Sequence, residues 1–190
     1  MSRWLLTGGA GYIGSHVAVE LLASGRDVVI VDDLSTGFAA RIADSAAFVE
    51  GSVQDTKLLA KVMRERDIDG VVHLAAKKAV GESVERPLYY YRENVDGVLA
   101  VLAAMNEAGV NKIVYSSSAA AYGEPAVGEV AEDEPTVPTS PYGETKLIGE
   151  WMVRAQAESQ RLAGSGLANA SLRYLNVAGA ASDLLAAPSV

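Results

Sequence analysis

The chain has no cysteine among its 190 residues. That absence excludes disulfide bridges, thiolate nucleophiles and zinc–thiolate sites together. It has no basic run either: 16 Lys and Arg stand against 24 Asp and Glu, a formal net charge of −8. A net acidic chain of this kind is a poor binder of nucleic acid or of an anionic membrane. Apolar stretches such as Val98 to Met105 are too short to span a bilayer. Strand-like residues begin at Arg3, so no signal peptide is expected, and the expected protein is soluble and cytoplasmic. Histidine occurs twice, once in a helical pattern (His16) and once inside an apolar run (His73); both read as packing residues rather than general bases. No repeat longer than one strand–helix unit is visible, and no low-complexity tract.

What is present is an alternation. Apolar, non-alternating runs fall near residues 3–7, 27–32, 46–49, 69–75, 111–116 and 170–175, and helix-period segments near 12–24, 55–66, 85–108 and 141–163. Runs such as Val71-Val72-His73-Leu74-Ala75 suit strands covered on both faces. The alternation predicts an α/β domain with a doubly wound parallel sheet, here one domain over 1–190, with ligands beyond the carboxyl ends of the strands.

The first turn is the strongest local signal. Between the run Trp4-Leu5-Leu6-Thr7 and the helical pattern Ile13, Val17, Leu21, the glycines Gly8, Gly9, Gly11 and Gly14 fit two overlapping phosphate-turn spacings. Such glycines let the chain turn, let backbone approach a pyrophosphate and let helix pack on strand, while free N–H groups and the helix dipole face the phosphates. Asp32 follows Gly14 by 18 residues at the end of the next run, placed to accept hydrogen bonds from an adenosine ribose and to repel a 2′-phosphate. NAD is therefore the expected cofactor. Ser52, after the third run, is placed to face the adenine, and the neighbouring Asp55 reads as a helix cap. Of Tyr89, Tyr90 and Tyr91, at least one must pack or face solvent. The acidic stretch through Glu129, Glu132, Asp133 and Glu134 reads as a solvated loop.

Ser140-Pro141 opens the last helix, serine as cap and proline in the first turn. It carries Tyr142 and Lys146, four apart and on one face. An adjacent ammonium and a cationic nicotinamide favour the phenolate and lower the tyrosine pKa. Lys146 can also hold the nicotinamide ribose. Ser118, at the end of the fifth run, can donate to or relay a proton from the same substrate oxygen. Tyr142, Lys146 and Ser118 are the expected catalytic residues.

The Tyr-x-x-x-Lys pair with this glycine turn resembles the extended short-chain dehydrogenase/reductase family. Within it, the segments Thr7–His16, Lys78-Ala79-Val80-Gly81-Glu82-Ser83-Val84, Ser116–Ala119, Ser140–Gly143 and Leu172–Asn176 are similar to those of UDP-glucose 4-epimerases. The resemblance implies NAD-dependent oxidation at C4 of a UDP-sugar, rotation of the 4-keto sugar and return of the hydride, in a homodimer. Carried over by position, NAD contacts are Gly8, Gly11, Tyr12, Ile13, Gly14, Asp32, Asp33, Ser35, Thr36, Gly37, Ser52, Val53, Leu74, Ala75, Lys78, Tyr142, Lys146 and Leu175. Lys78, Ser118, Tyr142 and Asn176 are the implied contacts to the UDP-sugar. For the dimer, Leu99, Leu102, Leu147 and Trp151 are apolar beyond what one sheet face needs.

Four positions depart from the family pattern: Ser52 for an Asp, Glu93 for an Asn, Ala120 for a Thr and Leu175 for a Phe. The first two should weaken cofactor binding. Family members also continue into a C-terminal lobe that grips the nucleotide-sugar, whereas this sequence stops at Pro188-Ser189-Val190, so little turnover is expected of these residues alone. The related 4,6-dehydratases need a carboxyl pair where Ala119 and Ala120 stand, and alanine carries no proton. A simple nucleotide-sugar reductase or dehydrogenase, and a non-catalytic dinucleotide-binding module, remain open as alternatives.

Overall fold

The structure, a computed structural model, describes residues 2–125 and 128–179. Residues 126–127 of the Glu- and Pro-rich loop and the terminal Pro188-Ser189-Val190 lie outside the described residues. Six strands, β1 (Arg3–Thr7), β2 (Asp27–Asp32), β3 (Ala47–Glu50), β4 (Gly70–His73), β5 (Lys112–Ser116) and β6 (Ala168–Leu172), form one sheet in the order β3-β2-β1-β4-β5-β6. Every pair is parallel. The order reverses between β1 and β4, which opens a crevice at the carboxyl edge there.

β-Branched and leucine side chains fill both sides of the central strands. Leu5, Val29, Val31, Val71 and Ile113 face α2 (Thr56–Glu65), α5 (Asp96–Ala108) and α6 (Pro141–Leu162). Leu6, Val28, Ile30 and Val72 face α1 (Tyr12–Ala23). Full burial of each such side chain contributes about 1.5–3 kcal/mol. Asp55 does cap α2, its carboxylate accepting the Leu58 N–H at 2.9 Å. Gly149 lets α6 lie close to β5, since a Cβ there would stand 2.1 Å from the Tyr115 hydroxyl.

Two expectations are corrected. The single helix over 85–108 is four pieces: α3 (Val80–Glu85), α4 (Pro87–Tyr90), a π turn (Tyr91–Val95) and α5. Pro87 disfavours the helical region for the residue before it, and Arg86 is non-helical at φ −131°, ψ 56°. The last strand is Ala168–Leu172 rather than 170–175: the Ala168 N–H bonds the Asn111 carbonyl and fixes the register, and at Arg173 the side chain turns to Glu150 instead. All five β6 residues are exposed, as an edge strand. Of the four surplus apolar residues, Leu102 and Leu147 belong to the interior, while Leu99 and Trp151 are 56% and 49% exposed. Among the described residues no helix is long and apolar enough to cross a membrane.

Candidate active site

The glycine turn sits at the point of strand-order reversal and is closed by backbone. Gly8 adopts φ +74°, and a Cβ there would meet the Ala75 nitrogen at 2.7 Å, so the turn lies directly on the chain leaving β4. A Cβ on Gly14 would stand 2.2 Å from the Gly8 carbonyl oxygen, which is how α1 starts against the turn. At Gly11, which begins α1 with no side-chain cap, a Cβ would meet only the Gly8 oxygen, at 3.2 Å. The first-turn N–H groups of α1 have no acceptor within the helix, and among the described residues no side chain caps them at Gly11. A dinucleotide pyrophosphate fits such a bare, positively polarised helix start.

Asp32 is buried at the end of β2. Its two oxygens accept the Ala10 N–H at 3.0 Å and the Leu34 N–H at 2.9 Å, so the carboxylate also braces the turn it faces. Each oxygen keeps a lone pair for a ribose hydroxyl. Gly37 fits against Ala10 and Asp32. Asp33 is exposed and holds the Ser35 N–H, and the Ser35 hydroxyl receives the Lys77 ammonium at 3.1 Å. Ser52 is exposed and accepts the Gln54 N–H, while Val53 packs on the core beside Gly97. Glu93 accepts from the Gln54 amide at 3.4 Å.

The acid–base group is built across β5 and α6. The Ser140 hydroxyl caps α6 by accepting the Gly143 N–H, with Pro141 in the first turn. Ser118 caps the short turn after β5 through the Ala120 N–H, and its hydroxyl lies beside the Tyr142 phenol, where it favours the phenolate. The Lys146 ammonium, 4% exposed, donates to the Ser116 carbonyl at 2.8 Å and stands 6.0 Å from the Tyr142 ring centre.

The expected lowering of the Tyr142 pKa by Lys146 is corrected here. Burial pushes the phenol above its ordinary value, and Ser118 opposes that. Burial also pulls Lys146 down to about 8, and its ammonium donates to the Ser116 carbonyl. His73, bonded to the Thr7 hydroxyl at 2.7 Å and stacked on Tyr115, is a core residue, depressed to about 3 by burial and then by Lys146.

Every expected contact lies at the carboxyl edge, but they are not all gathered. Gly8, Gly11, Gly14, Asp32, Gly37 and Ala75 meet at the turn; Ser118, Tyr142 and Lys146 meet at α6. Lys78, Leu175 and Asn176 are exposed. Tyr12 donates to the Gly179 carbonyl, and the Tyr174 carbonyl accepts the Ala119 N–H, so the chain after β6 runs back over the edge. The polar side chains that hold the edge together went unassigned: Tyr91 to Glu144, Asn94 to Thr145, and Ser117 and Arg173 to Glu150. Arg173 carried a usable signal, a lone cation between Leu172 and Tyr174. Asn94 carried none, because the π turn shifts the helical register it would be read in.

Residues 4–186 match the NAD dependent epimerase/dehydratase family. The UDP-glucose 4-epimerase of Lactobacillus helveticus is 46% identical over 179 residues, 94% of this chain and 53% of that protein. The UDP-glucose 4-epimerase of Brucella ovis, solved in complex with NAD, superposes with a TM-score of 0.89 at 40% identity, covering 95% of this chain and 54% of that one. The Bifidobacterium longum enzyme, solved with NAD+ and UDP, gives 0.84 at 37% identity, covering 92% and 53%. The chain thus spans about half the length of the curated relatives it matches.

Proposed function

The chain belongs to the NAD dependent epimerase/dehydratase family, and on that premise we propose that residues 1–190 form one NAD-binding domain, the cofactor half of an enzyme interconverting UDP-glucose and UDP-galactose. The observation that carries this reading is the Ser118–Tyr142–Lys146 cluster standing on the same sheet edge as the bare glycine turn. The first-turn N–H groups of α1 would hold the pyrophosphate and Asp32 the adenosine ribose. Held there, NAD would supply a reversible hydride acceptor for C4 of the sugar.

Tyr142 removes the proton of the sugar 4-hydroxyl and later returns it. Burial disfavours the phenolate and Ser118 favours it; the first step proceeds from the phenolate, which takes up the sugar proton to become the phenol that gives it back. Lys146 supplies the nearby positive charge from a pocket that keeps it dry. Lys78 and Asn176 are the proposed contacts to the nucleotide part of the substrate. The proposal includes a cytoplasmic homodimer paired through α5 and α6, which Leu99 and Trp151 support by their exposure on those helices.

Positioning of substrate accounts for roughly 7–11 kcal/mol of a barrier of this kind. With half of the relatives' length, this chain is proposed to bind NAD and to turn over little. Calorimetry with NAD and a coupled UDP-galactose assay test this, on these 190 residues and on the chain extended by the C-terminal half of the Lactobacillus helveticus enzyme. NAD binding by both and turnover by the extended chain are expected. No NAD binding, or equal turnover by both, overturns it.

A further inference from the structure

The glycine turn lies between β1 and β4, and Asp32 closes β2, one strand farther out. A dinucleotide with its pyrophosphate on the turn and its adenosine ribose on Asp32 would carry its adenine toward the end of β3, the edge strand on that side. Two segments meet there: the loop Ser52-Val53-Gln54 leaving β3, and the π turn Tyr91–Val95 with the start of α5 behind it. A Cβ on Gly97 would meet the Val53 side chain at 3.3 Å, so loop and helix are in contact. Gln54 joins them, its amide donating to the Arg92 carbonyl at 3.1 Å and to the Glu93 carboxylate at 3.4 Å.

The polar groups at this end differ in what they can recognise. The exposed Ser52 hydroxyl accepts the Gln54 N–H at 3.2 Å. A hydroxyl both donates and accepts, so it serves an amino group and a carbonyl alike. Glu93 is different. It is half-buried, one carboxylate oxygen takes the Gln54 amide, and the other makes no hydrogen bond with the described residues. An ionised carboxylate accepts and never donates. It bonds the 6-amino group of adenine and repels the 6-oxo group that hypoxanthine carries in the same place. In the sequence Ser52 and Glu93 stand as two separate losses to cofactor binding; in the fold both are bonded to Gln54. The acid absent from the end of β3 stands opposite, on the π turn.

We propose that Glu93 is a specificity-determining residue for the cofactor: its second carboxylate oxygen accepts from the adenine 6-amino group, while Gln54 holds the carboxylate against the β3 loop. This rests on the NAD-binding part of the function proposed above. A Glu93 that only anchored Gln54 would, when changed, weaken every dinucleotide by the same factor. A Glu93 that reads the base changes the ratio between two dinucleotides that differ at the purine 6-position alone.

The probes are NAD and nicotinamide hypoxanthine dinucleotide, titrated by calorimetry against these 190 residues, with the fold of each variant checked by circular dichroism. The parent should bind NAD about tenfold or more tightly than the hypoxanthine analogue, because a hydrogen bond to a charged group is exchanged for a repulsion. Glu93→Gln should bring the ratio to within about threefold, since a side-chain amide turns to present either its oxygen or its nitrogen. Glu93→Ala should narrow the ratio in the same way. Ser52→Ala should weaken both dinucleotides alike and keep the parent's ratio. A parent that binds the two equally overturns the proposal, as does a folded Glu93→Gln or Glu93→Ala that keeps the parent's preference. Should one Glu93 variant not fold, the other decides. A parent that binds neither dinucleotide ends the NAD reading and this proposal with it, whereas a parent that binds NAD without preference ends this proposal alone.

Discussion

The two ends of the cleft are made of different materials. At the glycine turn the chain is held by what is missing: the absent Cβ atoms of Gly8 and Gly14 let backbone lie on backbone, and the buried Asp32 carboxylate accepts the Ala10 and Leu34 N–H groups. At α6 the chain is held by what is present: Tyr91–Glu144, Asn94–Thr145, Ser117–Glu150 and the forked Arg173–Glu150 pair, whose partners stand 53, 51, 33 and 23 residues apart. The turn is stiff because nothing else fits. The acid–base end is stiff because many polar groups are mutually satisfied, and such networks fail together when one member is removed.

The sharpest way to separate the two ends is Tyr142→Phe. In the chain extended by a relative's C-terminal half, turnover should fall about 10²–10⁴-fold, the usual contribution of a general acid–base group. NAD affinity, set at the other end, should stay within about threefold, a margin well under one decade or 1.4 kcal/mol. Steady-state kinetics and calorimetry on one preparation check this, and turnover near the parent's would remove Tyr142 from its role.

The opposite probe is Gly14→Ala. The added Cβ meets the Gly8 carbonyl oxygen at 2.2 Å and the Gly9 Cα at 2.7 Å, both backbone and neither able to swing aside. Overpacking of this kind costs about 1–3 kcal/mol. Urea unfolding should register that loss, and NAD affinity should drop at least as far, since α1 must shift off the turn. The Ser118–Tyr142 contact should survive. A variant as stable as the parent would show the turn to be looser than its geometry.

The same contrast explains what the sequence made legible. Glycine spacing, the acid 18 residues on, the Ser140-Pro141 cap and the Tyr142–Lys146 pair are local patterns with local causes, and each lies where its spacing places it. The buried strands of the sheet were legible for a similar reason, their side chains facing helices on both sides. Polar links such as Asn94 to Thr145 are set by tertiary packing over long separations, and no spacing encodes them. The pKa of Tyr142 was misread on the same account. Two residues four apart on a helix are neighbours, but Lys146 finds the Ser116 carbonyl on β5 instead, and burial then governs the phenol.

His73 sits on the seam between the two ends, and it offers the smallest and most specific test. On β4 it pairs in register with Thr7 of β1 and Tyr115 of β5, hydrogen-bonded to the one and stacked on the other. Burial, and secondarily the Lys146 charge, lowers its pKa from 6.5 to about 3. The folded state therefore binds fewer protons than the unfolded state between those values. The stability it contributes is present above pH 6.5 and is lost progressively as pH falls toward about 3. Between pH 7 and pH 5.5 a shift of this size amounts to about 1 kcal/mol. His73→Gln removes the titrating ring and leaves an amide to meet Thr7. Urea unfolding of parent and variant at both pH values should show the parent losing about 1 kcal/mol more than the variant. Carboxylates that titrate in that range are common to both proteins and cancel. Equal losses would mean that His73 takes up its proton without unfolding, and that the seam between the turn and the acid–base end is wetter than its packing implies.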